Sequence, residues 1–98
     1  MSNKDLLNTT LFDEACRILR KSNSGSIKDR LRILDISLVD ISDRQFRAFE
    51  YKVQKLLALK KAKMPGTKLN RNQTVGSLLK YIQLLEDTII IYRVQSAP

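Results

Sequence analysis

Histidine and tryptophan are absent from this chain, cysteine occurs once, and the ten carboxylates are scattered along its 98 residues. A metal centre built from His and Cys clusters cannot be assembled from such an inventory, and neither can a His-based catalytic triad. The three glycines, Gly25, Gly66 and Gly76, stand alone, so no glycine-rich phosphate loop is present. Catalysis by lysine or carboxylate needs a marked cluster, and none is visible. The expectation is a binding protein and not an enzyme, with no cofactor, no metal and no small-molecule substrate.

Cys16 has no intrachain partner, whereas a small domain made for an oxidising compartment usually carries several cysteines. The expected location is therefore cytoplasmic or otherwise intracellular. The opening MSNKDLLNTT lacks a basic stretch followed by an apolar one, and apolar runs such as Ile89 to Tyr92 are only four residues long. Neither a secretory signal nor a membrane span is expected. Two N-x-T matches, at Asn8 and Asn72, read as chance in an intracellular chain.

Apolar residues make up 43% and charged residues 29%, the balance of a folded domain and not of a disordered segment. A chain of this length forms one domain that removes roughly 60–65% of its unfolded surface from water. Residues 1–98 read as that single domain, with 1–9 as a flexible N-terminal segment.

Helix caps and breaks divide the rest. Thr10 with Asp13 opens a first helix that places Leu11, Phe12, Ala15, Cys16 and Leu19 on one side, and Ser22 to Gly25 breaks it. Ser26 with Asp29 opens a second, whose stripe Ile27, Leu31, Leu34, Leu38 has helical spacing. A short strand at Asp35 to Leu38 is the competing reading. Ser42-Asp43-Arg44-Gln45 is a capping box that launches a third helix to about Lys63, with Phe46, Phe49, Val53, Leu56 and Leu57 inward. Met64-Pro65-Gly66 must interrupt it. A fourth helix is expected from Asn70, with Val75, Leu78, Ile82, Leu85, Ile89 and Tyr92 as a seam close to a heptad. The fold class is all-α: a small antiparallel bundle of about four helices ending in a long αα-hairpin.

The net charge of +8 is unevenly spread. Residues 1–50 carry nine basic and eight acidic side chains, whereas 51–85 carry eight basic side chains and no carboxylate. Those eight are Lys52, Lys55, Lys60, Lys61, Lys63, Lys68, Arg71 and Lys80. Uncompensated positive surface attracts polyanions, and neutralising phosphates with Lys or Arg releases counterions without reading sequence. Arg44, Arg47, Tyr51 and Lys55 recur at three-four-four spacing as an outward stripe, with Lys52 beside them, leading toward the lysine-rich bend. A tyrosine in such a stripe can stack on a base or support a phosphate contact. The expected partner is nucleic acid, RNA or DNA, held by its backbone across Arg44 to Arg71. Asn70, Arg71, Asn72 and Gln73 are residue types that reach base edges, but they also read as a helix cap.

The bland alternative is a solvated lysine surface that resists aggregation. What favours binding is the absence of acid over 35 residues, since soluble surfaces usually mix both signs. Arg17 and Arg20, by contrast, read as compensated by Asp13 and Glu14 a helical turn away. A second functional class is a helical adaptor that binds a protein partner through an apolar face. Ile89, Ile90, Ile91 and Tyr92 turn through about 300° of helix, so either this helix is surrounded in its own bundle or part of it meets another chain. A homodimer through these four residues is expected on that ground. Cys16 reads as a small buried thiol.

Overall fold

The computed structural model describes residues 3–59 and 69–96, and for residues 3 and 88–96 the backbone alone. The described residues form five helices, α1 (Asn3–Leu6), α2 (Thr10–Leu19), α3 (Ile27–Leu34), α4 (Asp43–Leu59) and α5 (Val75–Ser96). Among them there is no β-strand, and the protein is all-α. No helix among the described residues is long and apolar enough to cross a membrane.

Local chemistry explains most boundaries. The Thr9 hydroxyl donates to the Leu6 carbonyl at 2.7 Å and accepts from the Phe12 amide at 3.2 Å, so one side chain closes α1 and opens α2. Thr9, not Thr10, is the cap. The far end of α2 is a Schellman turn: the Lys21 amide reaches the Cys16 carbonyl and the Arg20 amide the Arg17 carbonyl. Arg20 occupies the left-handed position of that turn, φ 56° and ψ 42°, where glycine is the usual residue. Ser26 caps α3 through the Asp29 amide at 3.1 Å.

One core runs through all five helices. It takes Leu11, Phe12, Ala15, Cys16 and Leu19 from α2, Phe46, Phe49, Val53 and Leu57 from α4, and Val75, Leu78, Leu79, Ile82 and Leu85 from α5. These are the positions the periodicity selects, with Leu79 added and Leu56 only partly buried. Helix α5 packs against each of the other four. Those contacts bury one broad side of the helix, with Val75, Leu78, Leu79, Ile82 and Leu85, while Ser77, Lys80, Tyr81, Leu84 and Asp87 are exposed on the other.

Three expectations are corrected. Residues 1–9 are not a flexible segment as a whole, because Leu6 (0% exposed) and Leu7 (6%) are buried in the core and α1 packs on α3 and α5. Burying two leucines stabilises that docking by roughly 1.5–3 kcal/mol each, enough to hold a helix of one turn. The second helix does not continue through Leu38. It stops at Leu34, because the Ile36 carbonyl accepts from the Val75 amide (2.8 Å) and the Leu38 amide donates to the Gln73 carbonyl (2.9 Å). An isolated antiparallel bridge, Ser37 to Thr74, results. Ile27, placed on the inward stripe by its spacing, is 54% exposed, while Leu38 reaches the core from the connector. Finally, α5 begins at Val75 and not near Asn70. Thr74 caps it by accepting from the Ser77 amide at 3.2 Å. The expected bend at Met64-Pro65-Gly66 lies outside the described residues.

Candidate nucleic-acid interface

The start of α4 is fixed by the expected capping box. Ser42 Oγ accepts from the Gln45 amide and Gln45 Oε1 accepts from the Ser42 amide, both at 3.1 Å. From this anchored turn Arg44, Arg47, Tyr51 and Lys55 follow along the helix, and all four are exposed. The Lys55 ammonium lies 4.9 Å from the centre of the Tyr51 ring, a cation–π contact of about 0.5–1 kcal/mol at an exposed site. It covers one face of the ring and leaves a 60% exposed tyrosine beside a row of cations. Among the described residues Arg44, Arg47 and Lys55 are in no ion pair.

Two of the expected basic residues are turned inward to structural work. Lys52 lies 2.7 Å from Glu14 of α2 and 3.5 Å from Glu86 of α5. Burial pulls the Lys52 pKa down, but the bonds to these two carboxylates outweigh it and leave the ammonium above its ordinary value. Arg71 donates from Nε to the Leu38 carbonyl (3.2 Å), from Nη2 to the Ile41 carbonyl (2.8 Å) and from Nη1 to Asp43 (2.6 Å). Its guanidinium also sits 4.8 Å from the Phe46 ring centre. The hydrogen bond from Arg71, and then its charge, hold the Asp43 carboxyl below the usual range. A stretch free of acid in sequence is thus compensated in space at two positions, by carboxylates from elsewhere in the chain. Arg71 is a clamp on the connector between α3 and α4.

Asn70, Asn72 and Gln73 form a turn of their own. Asn70 Oδ1 accepts from the Asn72 amide at 2.8 Å, and Gln73 Nε2 donates to the Asn70 carbonyl at 2.7 Å. Lys60, Lys61, Lys63 and Lys68 lie outside the described residues, as do the side chains of Ile89, Ile90, Ile91 and Tyr92.

The same capture of Glu14 by Lys52 changes the other end of α2. Asp13, the remaining carboxylate there, accepts from the Asn23 amide group. Arg17 and Arg20 are therefore in no ion pair among the described residues, contrary to the compensation their sequence neighbours suggest. Together with Arg44 they line a surface groove of about 440 Å³ between the end of α2 and the first turn of α4. Ser42 and Gln45 supply its polar wall, Ile18 and Ala48 its apolar part, and no carboxylate lines it. This cluster escaped sequence reading because Glu14 has an i+3 arginine but bonds a lysine 38 residues away. The legible sign was Arg20 itself, at a position where a helix ending before Ser22 to Gly25 favours glycine.

Cys16 is buried, and burial first, then Asp13, pushes its thiol pKa up. It is a protonated core side chain and not a nucleophile.

Comparison with known proteins gives no match for this chain to any family model, curated protein or solved structure.

Proposed function

We propose that this is a small helical nucleic-acid-binding protein that grips the phosphate backbone of RNA or DNA with little reading of base sequence. The observation that carries it is the row on α4, where Arg44, Arg47 and Lys55 stand exposed and unpaired around Tyr51. Arg47 shares a hollow with Asp43 and Glu50 but pairs with neither, and cations that no carboxylate bonds favour a polyanion. Lys60, Lys61, Lys63 and Lys68 extend the excess in the sequence that follows. Titrating labelled duplex RNA, duplex DNA and single strands at two salt concentrations tests the reading. Affinity should fall steeply with salt and vary little with sequence. Binding that ignores salt, or no binding at low salt, overturns it.

The finer architecture belongs to this proposal: α4 and α5 as antiparallel arms of a hairpin within a helical bundle. So does a homodimer. A contact with another protein chain is favoured by Tyr81 (41% exposed) and Leu84 (64%), one turn apart on the outer side of α5. Lys80 and Asp87 flank a shallow hollow that includes Leu84. A two-fold axis crossing α5 beside Gln83 and Leu84 would set Lys80 of each copy against Asp87 of the other, the self-complementarity a symmetric dimer needs. Light scattering at tens of micromolar decides it. A dimer mass that Leu84→Lys halves supports the contact, and a monomer mass for the parent refutes it.

A further inference from the structure

We infer that the groove between the end of α2 and the start of α4 is a phosphate seat, held by Arg17, Arg20 and Arg44. The inference deepens the nucleic-acid reading and rests on it only for the identity of the molecule that carries the phosphate.

Three guanidiniums line one hollow into which no carboxylate projects. Guanidinium repels guanidinium, and an unoccupied triad gains nothing from this proximity. Phosphate is the complementary ligand, since a planar fork of donors matches two of its oxygens at once. Three of the nearby acids are diverted. Glu14 bonds Lys52, Asp13 bonds Asn23, and Asp43 bonds Arg71. Residues 43 and 44 differ by about 100° around the helix axis. Accordingly, Asp43 lines the hollow with Arg71 and Glu50 on one side of α4, while Arg44 lines the groove on the other. Asp35 and Asp40 line a neighbouring hollow with Lys21, reached across Gln45.

The backbone supplies a second, independent sign. Arg20 is the single non-glycine residue with positive φ among the described residues. A left-handed conformation costs an L-residue with a Cβ roughly 1–2 kcal/mol, which glycine would relieve. Strain retained at a charged side chain that faces a groove points to use of that side chain. One further feature suits an anion: the positive end of the α4 dipole begins at Ser42, in the groove wall. The C-terminal end of α2 has the opposite sign, and the hydrogen bonds of the Lys21 and Arg20 amides satisfy its Cys16 and Arg17 carbonyls.

Arg20→Gly is the informative variant, because it removes the charge while relaxing the backbone. The experiment measures binding of a labelled RNA duplex to the parent, Arg20→Gly, Arg17→Gln, Arg44→Gln and the distant control Lys28→Gln, with unfolding temperature recorded for each. A parallel amide-resolved NMR titration uses inorganic pyrophosphate. Each arginine variant should bind the duplex about tenfold more weakly at low salt, as for loss of a charge-assisted contact. Its salt slope should fall by at most about one unit. Arg20→Gly should do so while unfolding no earlier than the parent, and Lys28→Gln should match the parent. Pyrophosphate should shift the amides of Arg20, Lys21 and Ser42 to Gln45 in the parent and not in Arg20→Gly. Duplex binding that survives all three arginine changes overturns the seat and leaves the nucleic-acid reading standing. Pyrophosphate shifts confined to the groove, with no binding of duplex RNA, duplex DNA or single strands by the parent, uphold the seat and overturn that reading. No shift in the groove and no binding of any of these nucleic acids overturn both.

Discussion

The Lys52 ammonium lies 2.7 Å from the Glu14 carboxylate and fastens the middle of α4 to α2. This contact carries two consequences, because the glutamate it takes is the one that would otherwise accompany Arg17. A lysine in the most basic stretch of the chain is neutralised, and arginines outside that stretch are left bare.

Lys52 also predicts a pH dependence. Its pKa is raised in the folded protein by Glu14 and Glu86 against the opposing effect of burial. A raised lysine contributes stability that is fully present below its unfolded value of about 10.4 and is lost as pH rises through the folded value. Lys52→Met should destabilise the protein at neutral pH by about 1 kcal/mol, the upper end for partly exposed pairs. The gap between parent and variant in urea midpoint should shrink as pH rises above the unfolded value and through the raised folded one. A gap independent of pH would assign the lysine's effect to its apolar stem.

Arg71 should matter more for stability than its exposure suggests. It satisfies the Leu38 and Ile41 carbonyls and Asp43 at once. Arg71→Lys keeps the charge but lacks the fork of donors, so two connector carbonyls lose their partner, at a cost of about 2 kcal/mol. Asp43 has a lowered pKa, and its share is present above the ordinary carboxylate value of about 3.9 and lost as pH falls through the folded value. Urea denaturation of parent and Arg71→Lys at neutral and acid pH checks both statements, and the difference should narrow in acid.

The N-terminal helix gives a test that separates burial from sequence position. Leu6 is fully buried, so Leu6→Ala should cost about 3 kcal/mol by lost burial and cavity formation. Ile27 is 54% exposed, and Ile27→Ala should stay within about 0.5 kcal/mol. Equal effects would mean that α1 does not dock on the core as described.

What was legible in the sequence was whatever depends on neighbours three or four residues apart. The inward faces of α2 and α4, the Ser26 cap and the Ser42–Gln45 capping box all follow from that spacing. Illegible were the features set by distant partners. The alternation at Asp35 to Leu38 was the one local sign of the helix end at Leu34, which is fixed by the Val75 amide donating to the Ile36 carbonyl and the Leu38 amide donating to the Gln73 carbonyl. Likewise Leu6 and Leu7 are too few to announce a helix by period, and their burial depends on α3 and α5. For the candidate site, the row on α4 could be read directly because i, i+3 and i+4 neighbours share a face. The sign of the charge around it could not, since Glu14 and Glu86 approach Lys52 from other helices.

Charge removal at two separate places should distinguish the parts of the proposed interface. Replacing Lys60, Lys61 and Lys63 together with glutamine removes three cations that follow α4 in sequence. The helical circular dichroism signal should persist. If each lysine meets a phosphate, the slope of log affinity against log salt should shrink by up to about three units, and affinity should fall alike for unrelated sequences. Arg44→Ala with Arg47→Ala should act in the same direction, with a smaller change of up to about two units. Because Arg44 also lines the groove with Arg17 and Arg20, adding Arg20→Gly to this pair should weaken binding by less than its effect in the parent. Contacts to one shared phosphate are not additive. Full additivity would place Arg20 and Arg44 on different phosphates. An unchanged slope in the lysine variant would restrict the interface to the helical scaffold and make the lysine run a solvated surface.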